Sequence, residues 1–335
     1  MVILRKLLFP FSLLYGGITW MRNFLYNSGI FKSREYETPV ICVGNLNTGG
    51  TGKSPMIEFL LKMLLPQYKV ATLSRGYKRK SKGYAVLSGK ESAEEVGDEP
   101  LQFKTKYEKA IVAVDADRRN GISCLAEENP EVILLDDAFQ HRKVKAGFNI
   151  LLTAYHDLYV DDVMLPSGNL REPSAGAERA EVIVVTKCPP GLKVAEMEQI
   201  RNKIKPRNYQ KLFFSYISYA EEIFGKAISK PVSDLQKVEF TLVTGIANPV
   251  PLLTFLKEKK LNFQHLKFPD HHNFSSAEIE EISAKKLILT TEKDYMRLKS
   301  RIPAGKLWYL PITTKFIAKE NGFKSEVEKF IKTNI

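Results

Sequence analysis

Residues 39–54 read Pro39-Val-Ile-Cys-Val-Gly-Asn-Leu-Asn-Thr-Gly-Gly-Thr-Gly-Lys-Ser54. A short apolar strand runs into a glycine-rich loop that ends in Gly-Lys-Ser. Gly49, Gly50 and Gly52 let backbone N–H groups turn inward with no Cβ in the way, which suits a phosphate cradle formed by Asn47, Thr48, Gly49, Gly50, Thr51 and Gly52. Lys53 can reach the β- and γ-phosphates as a point charge, and the Ser54 hydroxyl can ligate Mg²⁺. The following Pro55-Met-Ile-Glu-Phe-Leu-Leu-Lys-Met-Leu-Leu is amphipathic, so the loop opens a helix whose N-terminal dipole favours anions. One position is off pattern. The strict motif has Gly where Asn47 stands.

Other apolar runs rich in Val, Ile and Leu alternate with helical patterns. They predict strands at 39–43, 69–73, 110–114, 131–135, 148–153 and 181–186. Near-continuous apolar strands of this kind belong to a mostly parallel sheet covered on both faces. The fold class is therefore α/β, a P-loop NTPase-like sheet domain followed by a smaller α/β unit. Several strands end in polar residues: Asn45, Ser74-Arg75, Asp115, Asp136-Asp137 and Lys187. In open α/β sheets the ligand crevice lies at the carboxyl ends of the strands, so these groups are expected to converge. The reading divides the chain into an N-terminal membrane-associating helix (1–30), a P-loop domain (31–210), an extended connector (211–230) and a smaller α/β unit (231–335). In the last unit, strands are expected at 240–244, 263–267, 286–290 and 307–310, with a helix over 251–260.

Composition limits the function classes. The chain has 335 residues, 44% hydrophobic and 26% charged, which is ordinary for a protein with real cores. Its three cysteines show no CxxC spacing, arguing against a disulfide framework or a zinc site. A formal net charge of +12 admits nucleic acid, anionic lipid and phosphorylated substrates alike. The amino terminus discriminates among them. Its first 34 residues hold Arg5, Lys6, Arg22, Lys32 and Arg34 and no acidic residue. Between Lys6 and Arg22 runs an uncharged apolar stretch of 15 residues. That is short of the ~20 needed to span a bilayer. With Tyr15, Trp20 and Tyr26 it reads as an interfacial anchor.

Asp136-Asp137 ends an apolar strand, the expected second half of a P-loop site, holding Mg²⁺ directly or through water. Phe139-Gln140-His141-Arg142 follows, and His141 is a candidate substrate or phosphate contact, although a lone His is more often structural. Gly97-Asp98-Glu99-Pro100 offers two adjacent carboxylates. Phosphorylating a hydroxyl calls for a base near the acceptor oxygen and acidic oxygens for Mg²⁺; Asp98 fits the first role and Glu99 the second. Taken locally, the same tetrapeptide reads as a solubilising loop or a helix cap. Arg75, Arg118-Arg119 and Arg171 offer guanidinium groups for phosphate oxygens. Asp270-His271-His272 is the densest histidine cluster; it lacks a third metal ligand at suitable spacing, and an Asp–His pair can instead orient a catalytic base. Glu292-Lys293-Asp294 reads as structural charge. Val184-Val-Thr-Lys-Cys-Pro189 has Pro where a guanine-specific protein would have Asp, which favours ATP over GTP.

Together these motifs closely resemble the tetraacyldisaccharide 4′-kinase family. The resemblance rests on residues 43–55, Leu73-Ser-Arg-Gly-Tyr77, Val96-Gly-Asp-Glu-Pro100, Asp136-Asp-Ala-Phe-Gln-His-Arg142 and Leu165-Pro-Ser-Gly-Asn-Leu-Arg-Glu-Pro173. It continues through Gly245-Ile-Ala-Asn-Pro249, Phe268-Pro-Asp-His-His272 and Thr291-Glu-Lys-Asp294. Ala138 and Asn169 stand where the family usually or often has Gly, and the family does not keep the Gly replaced by Asn47. The resemblance implies transfer of the ATP γ-phosphate, with Mg²⁺, to the 4′-hydroxyl of a tetraacyldisaccharide 1-phosphate, giving lipid IVA of lipid A biosynthesis. It implies catalytic roles for Lys53, Asp98 and His271, and a metal and phosphate network of Ser54, Glu99, Asp136 and Asp137. Arg75, Arg118, Arg119, His141, Arg171 and Asp270 become substrate or phosphate contacts. It also implies a two-stranded connector, an anionic glycolipid partner, and a location on the cytoplasmic face of the bacterial inner membrane. No nucleic acid and no obligate protein partner are expected. The alternatives are a P-loop ATPase acting as a conformational switch at the membrane, and a nucleic-acid-binding ATPase using the positive charge.

Overall fold

The computed structural model describes residues 5, 7–226 and 228–335. Lys6, one of the basic residues flanking the amino-terminal apolar run, lies outside the described residues, as do residues 1–4.

Two sheets organise the chain. The larger has nine strands. In chain order they are β1 (Val40–Asn45), β2 (Val70–Ser74), β3 (Ala85–Val86), β4 (Ile111–Val114), β5 (Val132–Asp136), β6 (Phe148–Ala154), β7 (Val182–Thr186), β8 (Lys211–Tyr219) and, from the far end of the chain, Ile312–Phe316. Across the sheet the order is 312–316, β8, β7, β6, β1, β5, β2, β4, β3. All pairs from β8 to β4 are parallel, and only the two edge strands run antiparallel. β1 is central, flanked by β5 (Val43 opposite Asp136) and β6 (Asn45 opposite Leu152). Both its faces are buried, as the unbroken apolar run demands. Gly44 is obligatory there, since a Cβ would lie 2.5 Å from the Phe139 Cβ.

The helix after the loop, Lys53–Leu64, buries Met56, Ile57, Leu60, Leu61 and Leu64 on one stripe against the sheet. Each contributes about 1.5–3 kcal/mol of hydrophobic stabilisation. That packing fixes the height of the loop over the carboxyl edge.

The second sheet has six strands: Glu222–Phe224, Ser229–Pro231, Phe240–Thr244, Phe263–Lys267, Ile288–Thr291 and Leu307–Leu310. The last four are mutually parallel, and 222–224 and 229–231 add antiparallel at one edge. The chain passes between the sheets twice, after Tyr219 and before Ile312, where Ala220 N donates to Pro311 O at 3.0 Å. β8 and 312–316 pair antiparallel at this passage, with Ile312 opposite Tyr219.

Two sequence boundaries differ from the structure. The stretch 211–230 is not one extended linker: 211–219 completes the large sheet, while 222–224 and 229–231 edge the small one. The last 24 residues or so leave the small unit. Strand 312–316 and helix Glu320–Asn334 return to the large sheet, because Phe316 and Phe323 bury their rings against Phe59 and Phe213. Nothing in the local pattern of those residues says which of two sheets they join.

Candidate active site

The glycine-rich loop bends over the carboxyl end of β1. Gly49 (φ 119°) and Gly52 (φ 88°) adopt backbone conformations that side chains disfavour, and Gly52 is the residue before the 53–64 helix. The amide-rich turn thus sits on the positive end of a helix dipole. It is held from both sides. Thr48 N donates to Asn169 O (2.7 Å), Arg171 N to Leu46 O (2.8 Å), the Thr186 hydroxyl to Thr51 O (2.7 Å), and Lys187 Nζ to Gly50 O. Asn47 is fully buried and donates to Asp162 (2.9 Å), so the residue that breaks the strict motif is a tether for the loop. Lys53 Nζ lies 3.4 Å from Asn45 Oδ1 and 3.7 Å from Asp137 Oδ2, contacts that a phosphate would readily replace.

The carboxylates gather around it. Ser54 Oγ donates to Glu99 Oε1 at 2.8 Å. Asp136 is buried; its Oδ2 accepts from Ser74 Oγ at 3.2 Å and its Oδ1 has no partner. Burial, and then the charges of Glu99 and Asp137, push its pKa up. A buried carboxylate crowded by two others, with an oxygen left unpaired, is the donor set a cation satisfies. These residues therefore fit Mg²⁺. Among the described residues, no three His, Cys, Asp or Glu side chains converge closely enough to hold a metal unaided. A metal there would share its coordination with phosphate oxygens and water, as Mg²⁺ commonly does. Asp137 takes a left-handed backbone (φ 49°) and pairs with Arg171 (2.9 Å). Burial raises its pKa, but Lys53 and Arg171 outweigh burial and hold it low.

A second group faces this one from the other sheet. Asp98 opens the helix Asp98–Lys106, and His271 lies in the turn after strand 263–267 with φ 56°. Asp98 Oδ2 is 3.1 Å from His271 Nδ1, and Arg297 Nη2 donates to the same carboxylate. Lys293 Nζ is 2.9 Å from His271 Nε2. An ammonium has only donors, so Nε2 accepts from Lys293 and the ring proton sits on Nδ1, which lies 3.1 Å from Asp98 and 3.0 Å from Arg297 Nη2; both the ring N–H and Arg297 then donate to the carboxylate. Lys293 also lies 3.7 Å from Glu99. Burial alone would raise the Asp98 pKa; hydrogen bonds from His271 and Arg297 win and bring it down to about 2. The carboxylate is charged throughout the physiological range.

Of the residues singled out from sequence, Lys53, Ser54, Glu99, Asp136, Asp137 and Arg171 come together at the loop, and Asp98 and His271 meet beside Glu99. Asp270 does not join His271: it is exposed, and the carboxylate on His271 is Asp98. His272 pairs instead with Glu278 at 3.0 Å. Arg118 is buried, its guanidinium committed to the carbonyls of Asp115 (3.0 Å) and Asp136 (3.3 Å), so it braces two strand ends. Arg119 is exposed beside Asp117, which also lies 3.9 Å from His141. Arg75 is exposed at the same rim. Sequence reasoning missed Arg297 altogether and took Lys293 as structural. The only available signal was helical spacing, which puts Arg297 one turn after Lys293 on the helix that follows Thr291.

The amino-terminal helix Phe9–Asn27 is inverted. Its buried residues are polar (Ser12, Thr19, Asn23), while Phe11, Leu13, Leu14, Ile18, Trp20, Met21 and Phe24 are exposed. The polar side clasps the 165–172 loop: Ser167 N donates to Ser12 Oγ (3.0 Å), Tyr15 OH to Arg171 O (2.9 Å), and Asn23 to the fully buried Glu172 (2.8 Å). No helix among the described residues is long and apolar enough to cross a membrane.

Comparison with known proteins agrees with this arrangement. The family model for tetraacyldisaccharide-1-P 4′-kinase matches residues 4–332. A tetraacyldisaccharide 4′-kinase of Flavobacterium johnsoniae is 51% identical, covering 100% of this chain and 99% of its own. The protein of that name from Bacteroides thetaiotaomicron is 44% identical, over 88% and 83%. A crystal structure of LpxK from Aquifex aeolicus in complex with ATP superposes with a TM-score of 0.80 at 31% identity, covering 98% of this chain and 99% of that one.

Proposed function

The chain belongs to the tetraacyldisaccharide-1-P 4′-kinase family, and from that premise we propose how its residues divide the work. The protein is an ATP-dependent kinase of lipid A biosynthesis, transferring the γ-phosphate of ATP to the 4′-hydroxyl of a tetraacyldisaccharide 1-phosphate to form lipid IVA. It uses ATP with Mg²⁺. The observation that supports the site assignment most is the meeting of Asp98 and His271 beside the Gly-Lys-Ser loop, brought there from two different sheets.

The loop amides and Lys53 hold the phosphates, and Arg171 joins them from its place on Asp137. Ser54, Glu99, Asp136 and Asp137 would hold Mg²⁺, which when bound would neutralise phosphate charge. The acceptor hydroxyl gives its proton to Asp98 as its oxygen bonds to the γ-phosphorus; the bond from that phosphorus to the bridging oxygen breaks, and ADP leaves. A carboxylate with a pKa of about 2 takes the proton late, which suits a loose phosphoryl-transfer transition state. His271 keeps the reactive oxygens of Asp98 oriented, and Lys293 keeps His271 in the donating tautomer. Arg75 and Arg119, exposed at the rim, and the half-buried His141 behind them meet the anionic part of the lipid.

The exposed apolar side of the 9–27 helix lies in the interface of the inner membrane on its cytoplasmic face, where ATP and the lipid head group are both in reach. The division of labour assigns the large sheet to the nucleotide and the small unit, 222–310, to completing the catalytic group. With γ-labelled ATP, Mg²⁺ and the lipid dispersed in detergent, label should appear in the lipid. Label remaining wholly in ATP and free phosphate would sink the proposal.

A further inference from the structure

Away from the phosphate loop, one half-buried cation touches two other site-bearing helices. Lys106 closes the helix that Asp98 and Glu99 open. Its ammonium lies 2.5 Å from Glu58 and 2.7 Å from Glu292, both almost fully buried. Glu58 is one turn beyond Ser54 on the helix that carries Lys53. Glu292 begins the helix that carries Lys293 and Arg297, the residues holding His271 and Asp98. Its other oxygen accepts from Ile312 N at 3.0 Å, where the chain returns to the large sheet. Gln102 donates to Glu58 at 2.6 Å, so the carboxylates are well satisfied as long as the ammonium is present.

We infer that Lys106 is a positioning residue for phosphoryl transfer, setting the distance between the nucleotide loop, the base Asp98 and the small unit's His271, Lys293 and Arg297. Glu99, bonded to Ser54 and 3.7 Å from Lys293, joins the same three helices at the catalytic end, and Lys106 joins them again at the far end of the 98–106 helix. Without the ammonium the two carboxylates lose their shared partner; Glu58, whose pKa burial and then Glu292 already push up to about 7, takes a proton, and the 292–298 helix loses the charge contact that holds it against the other two and is free to shift. That helix moves Arg297 and Lys293 with it. An ångström of misplacement between base and acceptor is enough to cost about 100-fold in rate. The inference rests on the reading of Asp98 as base.

The test uses the full-length protein in detergent with the lipid acceptor. Lys106→Met keeps the length of the side chain and removes its charge. Expected is a fall in kcat of about 100-fold, with equilibrium binding of MgATP changed by less than about threefold. Adding Glu292→Gln to it removes the facing charge and lets an amide donate to Glu58; kcat should recover roughly tenfold over the single variant. A role confined to stability would lower the melting temperature and leave kcat of the folded fraction unchanged. The inference is overturned if Lys106→Met turns over within about threefold of the native protein, if kcat and ATP affinity fall together, or if the double variant recovers nothing. Should Lys106→Met fail to fold, Glu292→Gln alone decides: a kcat about tenfold lower with ATP binding unchanged supports it, and an unchanged kcat overturns it. Asp98→Asn, assayed alongside, separates the two readings: full turnover there would remove the base assignment on which the inference rests, whereas lost turnover there with native turnover in Lys106→Met would overturn the inference alone.

Discussion

Replacing Asp98 by Asn tests the centre of the proposal, because it removes a charge while keeping the shape and a hydrogen-bond acceptor for His271. Two magnitudes follow from the structure. A positioned general base contributes roughly 10²–10⁴ in rate, so kcat should fall by that factor. Nucleotide contacts come from the loop around Lys53, and Asp98 makes none of its hydrogen bonds there, so the dissociation constant for MgATP should change by less than about threefold. The second magnitude concerns stability. Asp98 falls from its ordinary 3.8 in the unfolded chain to about 2 in the folded one, which corresponds to about 2 kcal/mol of stabilisation. The sign is that of a depressed carboxylate. The stabilisation is complete above about pH 4 and is lost as pH falls toward 2. Denaturant unfolding between pH 5 and 2 should therefore show a shallower acid loss in Asp98→Asn, by about that amount. The decisive assay pairs single-turnover transfer of labelled phosphate with equilibrium ATP binding. Equal losses in transfer and in ATP affinity would refute the base role and return Asp98 to the nucleotide site.

Three further outcomes are expected. Arg297→Met removes a donor from Asp98 and raises its folded pKa toward the ordinary value, so the loss of stability below about pH 4 should be smaller and complete at a higher pH; an unchanged acid limb would contradict the pairing. Trp20→Glu with Phe24→Glu, both on the exposed side of the 9–27 helix, should weaken co-sedimentation with anionic vesicles by tenfold or more (about 1.4 kcal/mol) while ATP binding persists; full retention on vesicles would refute the anchor. Phe323→Ala empties a fully buried site between Phe59, Phe213 and Phe316 and should destabilise the protein by about 3–5 kcal/mol; a loss under 1 kcal/mol would mean the terminal helix does not pack where described.

Much of this protein was legible along the chain because its signals are local. The β1–loop–helix unit carries its own instructions: an apolar strand, glycines at the two positive-φ positions of the turn, and an apolar stripe at helical spacing. The six expected strands of the large sheet appear within a residue or two, since a strand buried on both faces must be apolar throughout. Asp136-Asp137, Asp98-Glu99 and His271 were visible as chemistry at strand ends and turns. Pairing was not visible. Asp270 stands next to His271 in sequence, yet the carboxylate that meets the imidazole is 173 positions away. Arg118 has the composition of a phosphate clamp, but its burial commits it to two carbonyls. Arg297 carries no motif of its own and gains its part only because the 292–298 helix packs against the 98–106 helix. The sequence by itself determined the nucleotide loop, the strand pattern and the residue types available for transfer, for these depend on backbone conformation and on periodicity within a few residues. Only the tertiary structure decided which carboxylate His271 orients, which arginines remain free, and that the final strand and helix return to the first sheet. Those outcomes are set by burial and by charge pairing between distant segments, and such energies have no expression until the segments are packed together.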